Sequence, residues 1–427
     1  MKKIFLLIIL IFLGFVLYKP IKNKLEPELP PKYKYEDILN SVNGKKVDVN
    51  RYTIYGKYLN LEGNIPNIDT YSLVLKNNDE EIEVNTIIKD NKFTLANHIN
   101  EGLDLEKLKI GDYIILLKNK TTNDYYNLIN KTKYHENTYY TMTKNKKNNL
   151  ITMPELSFNN INYWTINIKE ANLPNDVYDV VIDPGHGGVD TGASNGNYHE
   201  SKYTLEYSKA LYDALTEEGL KVKLTREEDK NIDHYGALSR TGIPYEVKAK
   251  LMLSIHLNST NNSIQRGVEI YKAYNDSNEF ASVLAKNIVD EVGINYSNNT
   301  MHQVDKGVYM RVYSKADIQA LTKDAKNKGY EPYDIPDNST YYYFIRETGG
   351  ILTNAFSDGR NPRYKENPYR NYNQAVEAYL CELAYISNSN DLKLVLNKKD
   401  SYVKALKNSV LNYVGMEVNN NVEGQNG

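Results

Sequence analysis

Three apolar, strand-forming runs each stop at an ionisable side chain, and no other feature constrains the fold of this chain as strongly. Val180-Val181-Ile182-Asp183-Pro184 runs into Gly185-His186-Gly187-Gly188, Leu251-Met252-Leu253-Ser254-Ile255 ends in His256, and Ala378-Tyr379-Leu380-Cys381 ends in Glu382. Parallel strands align their carboxyl ends along one sheet edge, so three residues far apart in sequence can converge there. A histidine between glycines is displayed rather than packed. Glu200 adds a fourth candidate, just ahead of a helical pattern that begins near Ser201. Two histidines, one glutamate and a further glutamate suit a catalytic zinc site, with three protein ligands, an open position for water and a carboxylate base nearby.

From Asp176 onward strand and helix patterns alternate, which predicts an α/β layer fold with a mostly parallel twisted sheet flanked by helices. Helices are expected near 201–218, 237–250, 277–292, 315–328, 388–397 and 400–413, the second of them interrupted by Gly242 and Pro244. Further strands are expected at 221–225, 267–274 and 308–313. Cys381, the sole cysteine, excludes an internal disulfide. Its side chain points away from that of Glu382 if both lie on one strand, so it is expected to be a buried structural thiol.

The first half has another character. Short strand patterns such as 52–56, 71–75, 113–117 and 163–168, separated by Asn, Asp, Gly and Lys turns, predict a small all-β domain over 43–172. Trp164 is expected in its core. Ahead of it, residues 19–42 carry Pro20, Pro27, Pro30 and Pro31 among many charges, as an extended stalk would. Residues 1–18 open with Lys2 and Lys3 before about 15 apolar residues, short of the ~20 of a comfortable membrane span. No small-x-small cleavage site follows, which favours a signal anchor over a cleaved signal peptide. The lysines then stay cytoplasmic and the remainder lies outside, anchored to the membrane, or secreted if the segment is removed. The catalytic domain is expected to span 173–416, with an insertion at 330–374 and a polar tail at 417–427. A net charge of -2 and the absence of nucleic-acid motifs give no reason to expect a nucleic acid partner.

The motifs around these positions resemble a family. Asp183-Pro184-Gly185-His186-Gly187-Gly188, Glu200, Thr225-Arg226, Arg240, Ser254-Ile255-His256-Leu257-Asn258 and Glu382-Leu383-Ala384-Tyr385-Ile386-Ser387-Asn388 are similar, in order, to the motifs of zinc-dependent N-acetylmuramoyl-L-alanine amidases. The resemblance implies hydrolysis of the amide between N-acetylmuramic acid and L-alanine in peptidoglycan, with His186, Glu200 and His256 as Zn2+ ligands and Glu382 as the catalytic carboxylate. Asn258 and Arg240 are candidates to orient ligands or substrate, although a turn contact and a surface ion pair suit them equally. Arg346, Arg360 and Arg363, with Tyr341, Tyr342 and Tyr343, make the insertion a candidate lid or cleft wall that meets carboxylates and sugar faces of the substrate. An inactive wall-binding or regulatory module and a zinc peptidase acting on the stem peptide are the alternatives. Whether a protein activator is required is not legible in the residues.

Overall fold

Alternation along the Leu251–Asn258 strand sets the layering of the second half. Leu251, Leu253, Ile255 and Leu257 pack into one core, and Met252 packs into another on the opposite face. Val180–Pro184 divides in the same way, with Val180 and Ile182 in the first core and Val181 in the second. In Glu377–Tyr385, Tyr379, Cys381 and Leu383 join the first core while Ala378 and Leu380 join the second. Neighbouring strand residues point to opposite faces, so Asp183, Ser254, His256 and Glu382 all belong to the second face.

The computed structural model describes residues 36–134, 137–142, 148–329, 331–332, 335–355 and 372–416. Seven strands stand in the order Val222–Leu224, Val180–Pro184, Leu251–Asn258, Glu377–Tyr385, Glu269–Tyr271, Val308–Tyr309 and Gln303–Asp305. Four neighbouring pairs are parallel and two are antiparallel, so the sheet is mixed. The central pairing places His256 directly beside Glu382. Helices Glu200–Glu217, Glu279–Val292 and Lys399–Tyr413 cover the first face. Leu211 and Leu215, Leu284 and Ile288, and Leu406 and Val410 are buried there at helical spacing, each large side chain contributing roughly 1.5–3 kcal/mol. The second face is covered more thinly, by Ile243 and Tyr245 and by Phe344 and Ile345.

Three expectations need correction. The helix expected over 237–250 is only Ile243–Glu246, because Gly242 and Pro244 leave no longer run of helix-forming residues. Residues of the expected stalk form the helix Glu36–Val42, whose Ile38, Leu39 and Val42 are buried against Val74, Ile114, Leu116 and Tyr163. The insertion is not a plain loop where it is described. Tyr343–Thr348 is a helix and Gly350–Thr353 a 3-10 turn, held by the buried Phe344, Ile345 and Leu352.

Residues 46–171 supply most of a fourteen-stranded sheet with its own core, in which Trp164 is buried edge-on to Tyr52 at 4.5 Å between ring centroids. Gln374–Ala375, from just before the Glu382 strand, adds to this sheet beside Ile54 and Tyr55. A buried polar seam lies at the same junction. Tyr55 donates to Asp276 at 3.1 Å, Tyr379 and Tyr413 donate to Glu377 at 2.6 Å each, and Asn100 donates to Glu377 at 3.3 Å. Among the described residues no helix is long and apolar enough to cross a membrane. The expected anchor at 1–18 and the tail at 417–427 lie outside the described residues.

Candidate metal centre and active site

The end of the Val180–Pro184 strand turns sharply to present its histidine. His186 takes a left-handed backbone, φ 60°, an uncommon state for a residue with a Cβ. Arg226 and Arg240 fix that turn from behind. Arg226 donates to the carbonyls of Pro184, Gly185 and Ser201, which ties the strand end to the start of the Glu200 helix. Arg240 donates to Pro184 O at 2.8 Å and to His186 O, and pairs with Asp183 at 2.6 Å. Burial opposes the Asp183 charge, but Arg240 and the hydroxyls of Thr225 and Ser254 more than offset it and hold its pKa below the ordinary range.

Glu200 opens its helix, where the free N–H groups and the positive end of the helix dipole favour a carboxylate. Its Oε2 lies 3.2 Å from His186 Nε2 and accepts from Ala193 N at 2.8 Å. Its Oε1 lies 2.9 Å from His256 Nδ1 and accepts from Leu257 N at 2.9 Å. Burial works against the Glu200 charge, yet both histidines pull its pKa well below the usual carboxylate range. The two imidazoles stand edge to face with centroids 4.9 Å apart. Two glycines make room for this cluster: a Cβ on Gly185 would lie 2.4 Å from the His256 ring, and one on Gly192, φ +65°, would lie 2.6 Å from Glu200 and from His186.

Ligating atoms of His186, Glu200 and His256 all lie within 4.8 Å of one another. Tetrahedral bonds of about 2.1 Å put neighbouring ligand atoms about 3.4 Å apart, and two imidazoles with one carboxylate are a catalytic zinc donor set. The residues therefore fit a zinc ion without a change of backbone. Asp190, which sequence reasoning passed over, sits 2.8 Å from His186 Nδ1 and fixes that ring as carboxylates behind metal-bound histidines do. Its spacing of four residues after His186 in a glycine-rich turn was the available signal.

Beside the cluster is a cleft of about 320 Å³, bordered by His186, His256, Glu382, His234 and Tyr343. Glu382 is half-buried at its wall, and its Oε2 is buried with no hydrogen-bond partner among the described residues. Burial first, then the charges of Glu200 and Glu269, push its pKa well above the ordinary value. A bound dication opposes both effects.

Residues 180–324 match a family profile described as N-acetylmuramoyl-L-alanine amidase. That segment of the chain is similar to the N-acetylmuramoyl-L-alanine amidases. The "Probable cell wall amidase LytH" of Staphylococcus aureus is 34% identical over 128 residues, which are 29% of this chain and 41% of that protein, so the chain spans less than half the length of the curated relative it matches. Among solved structures, the catalytic domain of the amidase CwlV from Bacillus (Paenibacillus) polymyxa var. colistinus is 20% identical, with 56% of this chain and all of that one covered, at a TM-score of 0.38. The amidase AmiC2 of Nostoc punctiforme is 20% identical over 56% of this chain and 98% of its own, at a TM-score of 0.36.

Glu382 lies beyond the matched amidase segment, and strand pairing alone brings it to His256. The proposed substrate contacts fare differently. Asn258 donates to Glu269 at 3.0 Å, and Arg240 is committed to Asp183 and the His186 turn, so both support the cluster from behind. Arg346 is fully buried against Glu347 and the carbonyls of Thr340 and Tyr341, which corrects its expected role in meeting substrate carboxylates. Arg360 and Arg363 lie outside the described residues. Of the tyrosine run, Tyr342 and Tyr343 line the cleft, and His234 stacks on Tyr343 at 4.4 Å. His234 carried no local signal, since only folding brings it to Tyr343.

Glu269 is the other residue that the sequence left unmarked. It is fully buried and directly opposite Glu382, and it accepts from Asn258, Tyr271, Ser297, Asn299 and Tyr385. Cys381, on the other face of the same strand, is buried, and burial pushes its thiol pKa well up, as for an inert structural thiol.

Proposed function

We propose that this chain is a zinc-dependent N-acetylmuramoyl-L-alanine amidase, which hydrolyses the amide between N-acetylmuramic acid and the L-alanine of the stem peptide in bacterial peptidoglycan. The observation that carries the reading is the meeting of His186, Glu200 and His256 at one point, with Glu382 on the strand beside His256. Zinc held by these three residues supplies Lewis-acid polarisation of the scissile carbonyl and a lowered pKa for water. Glu382 then takes the proton from the attacking water and returns it to the departing L-alanine nitrogen. Asp190 keeps the His186 ring in the tautomer that offers Nε2 to the metal. The buried Arg226 and Arg240 hold the turn so that the ligands need no rearrangement.

The site of action proposed is outside the cytoplasmic membrane, where peptidoglycan lies. The lysines at positions 2 and 3 ahead of the apolar run 4–18 support that orientation, with the run as anchor. Mass spectrometry of purified peptidoglycan digested with and without a chelator tests the whole reading. An amidase frees the L-alanine amino terminus and leaves muramic acid intact, and chelation stops it. Products in which the muramoyl-alanine amide survives, or release of no product at all, overturn the proposal.

A further inference from the structure

A second cavity bordered by the described residues lies away from the His186, Glu200 and His256 cluster. It measures about 650 Å³, within the range of small-molecule sites, and opens at the seam between the fourteen-stranded sheet and the mixed sheet. Its walls come from the first half through Tyr134 and Asn137, from the helix Ile243–Glu246 through Tyr245, and from the segment entering the Gln374–Ala375 strand through Tyr372, Asn373 and Gln374. Lys248 and Val376, at the amino ends of the His256 and Glu382 strands, also border it. The cavity therefore sits at the sheet edge opposite the cleft.

Its chemistry is specific. Three tyrosines provide ring faces, with Tyr372 half exposed and edge-on to Tyr245 at 6.0 Å. Three carboxamides provide paired donors and acceptors. Asn373 is more than nine-tenths buried, and neither atom of its amide has a hydrogen-bond partner among the described residues. The Asn137 amide nitrogen is likewise buried without a partner there. Unpaired buried amides are destabilising, and a ligand supplying hydroxyl and carbonyl groups removes that cost. Lys248 adds a cation to the described lining. Aromatic edges beside carboxamides that hydroxyl groups can satisfy match a saccharide.

We propose that this seam cavity binds the N-acetylated glycan strand of peptidoglycan at a point remote from the amide being cut, which rests on the amidase reading for the identity of the polymer. Two contacts on one polymer make the second an intramolecular event, so the cavity raises the residence of the enzyme on polymeric wall.

The test is calorimetric titration of the full chain with a β-1,4-linked N-acetylglucosamine tetramer, against Asn373→Leu and Tyr372→Ala, with circular dichroism to verify folding. The tetramer should bind the parent chain, and each variant should bind about tenfold more weakly, as for loss of one good hydrogen bond or stacking contact. KM for polymeric wall, relative to KM for a short muropeptide, should rise by a similar factor. Equal tetramer binding by folded variants overturns the proposal, as does binding of a free stem peptide, but not the tetramer, in an Asn373-dependent way. If a variant fails to fold, Gln374→Ala carries the same comparison. Hydrolysis of purified peptidoglycan by the parent chain, measured beside its titration, separates the two readings: saccharide binding without hydrolysis sinks the amidase assignment alone, and hydrolysis without seam binding sinks this inference alone.

Discussion

Glu269 and Glu382 face each other across antiparallel strands, the first fully buried and the second half-buried, and among the described residues donors occupy the oxygens of Glu269 while Glu382 Oε2 has none. The surroundings thus fix one carboxylate in place and leave the other unengaged beside the cleft. Glu382→Gln should preserve the ligand cluster and zinc content while lowering turnover by ~10²-fold or more, as for loss of a general base. Steady-state hydrolysis of a muropeptide with elemental analysis measures both. An emptied metal site would show that Glu382 is a ligand instead.

The second prediction concerns the ring clamp behind the metal. His186→Ala or His256→Ala should abolish zinc binding and hydrolysis together. Asp190→Asn should weaken zinc affinity by about 10–100-fold without unfolding the chain, because it loosens a ring that remains present. Competition with a chromophoric chelator reads the difference, and unchanged affinity would reduce Asp190 to a turn residue.

Glu269 should matter to stability more than its distance from the metal suggests. Glu269→Ala strands five buried or half-buried donors, from Asn258, Tyr271, Ser297, Asn299 and Tyr385, at a cost of roughly 3 kcal/mol. Urea unfolding checks this. A loss below about 1 kcal/mol would mean that those donors find water easily.

The seam between the halves should be pH-sensitive. Burial, reinforced by Glu377, raises Asp276 well above its ordinary pKa, and burial raises Glu377 despite its bonds from Tyr379, Tyr413 and Asn100. Each folded pKa exceeds its unfolded value near ~4, so the folded state binds more protons in that interval. Their stabilisation is full below the unfolded value and declines as pH rises through the folded one. Unfolding free energy should therefore fall as pH rises above the ordinary carboxylate range, and Asp276→Asn with Glu377→Gln should flatten that fall. Parallel slopes for parent and variant would refute the assignment.

The metal cluster was legible because each member ends an apolar run or opens a helix, and those boundaries survive folding unchanged. Cys381 was legible for the same reason, through strand alternation alone. Asp190, Arg226 and Glu269 were not assigned roles, since each acts through a partner that only the fold supplies: a ring turned by a left-handed residue, three carbonyls on two elements, and a strand reversed against its neighbour. Arg346 misled because an arginine in a polar stretch looks exposed, whereas the apolar Phe344 and Ile345 beside it bury the whole turn. The Glu36–Val42 helix was hidden by the prolines and charges just before it.

The Glu377–Tyr385 strand sits in the middle of its sheet yet comes late in the chain. Its two neighbours, Leu251–Asn258 and Glu269–Tyr271, precede it by more than a hundred residues and do not pair with each other. A growing chain thus holds both edges bare until nearly the whole polypeptide has emerged, and long-range pairings of this kind form slowly. A chain stopped before Glu377 should stay protease-sensitive throughout the mixed sheet. On the proposed amidase reading, the same timing leaves the site incomplete until late in synthesis, because the strand that pairs Glu382 with His256 follows both of its neighbours.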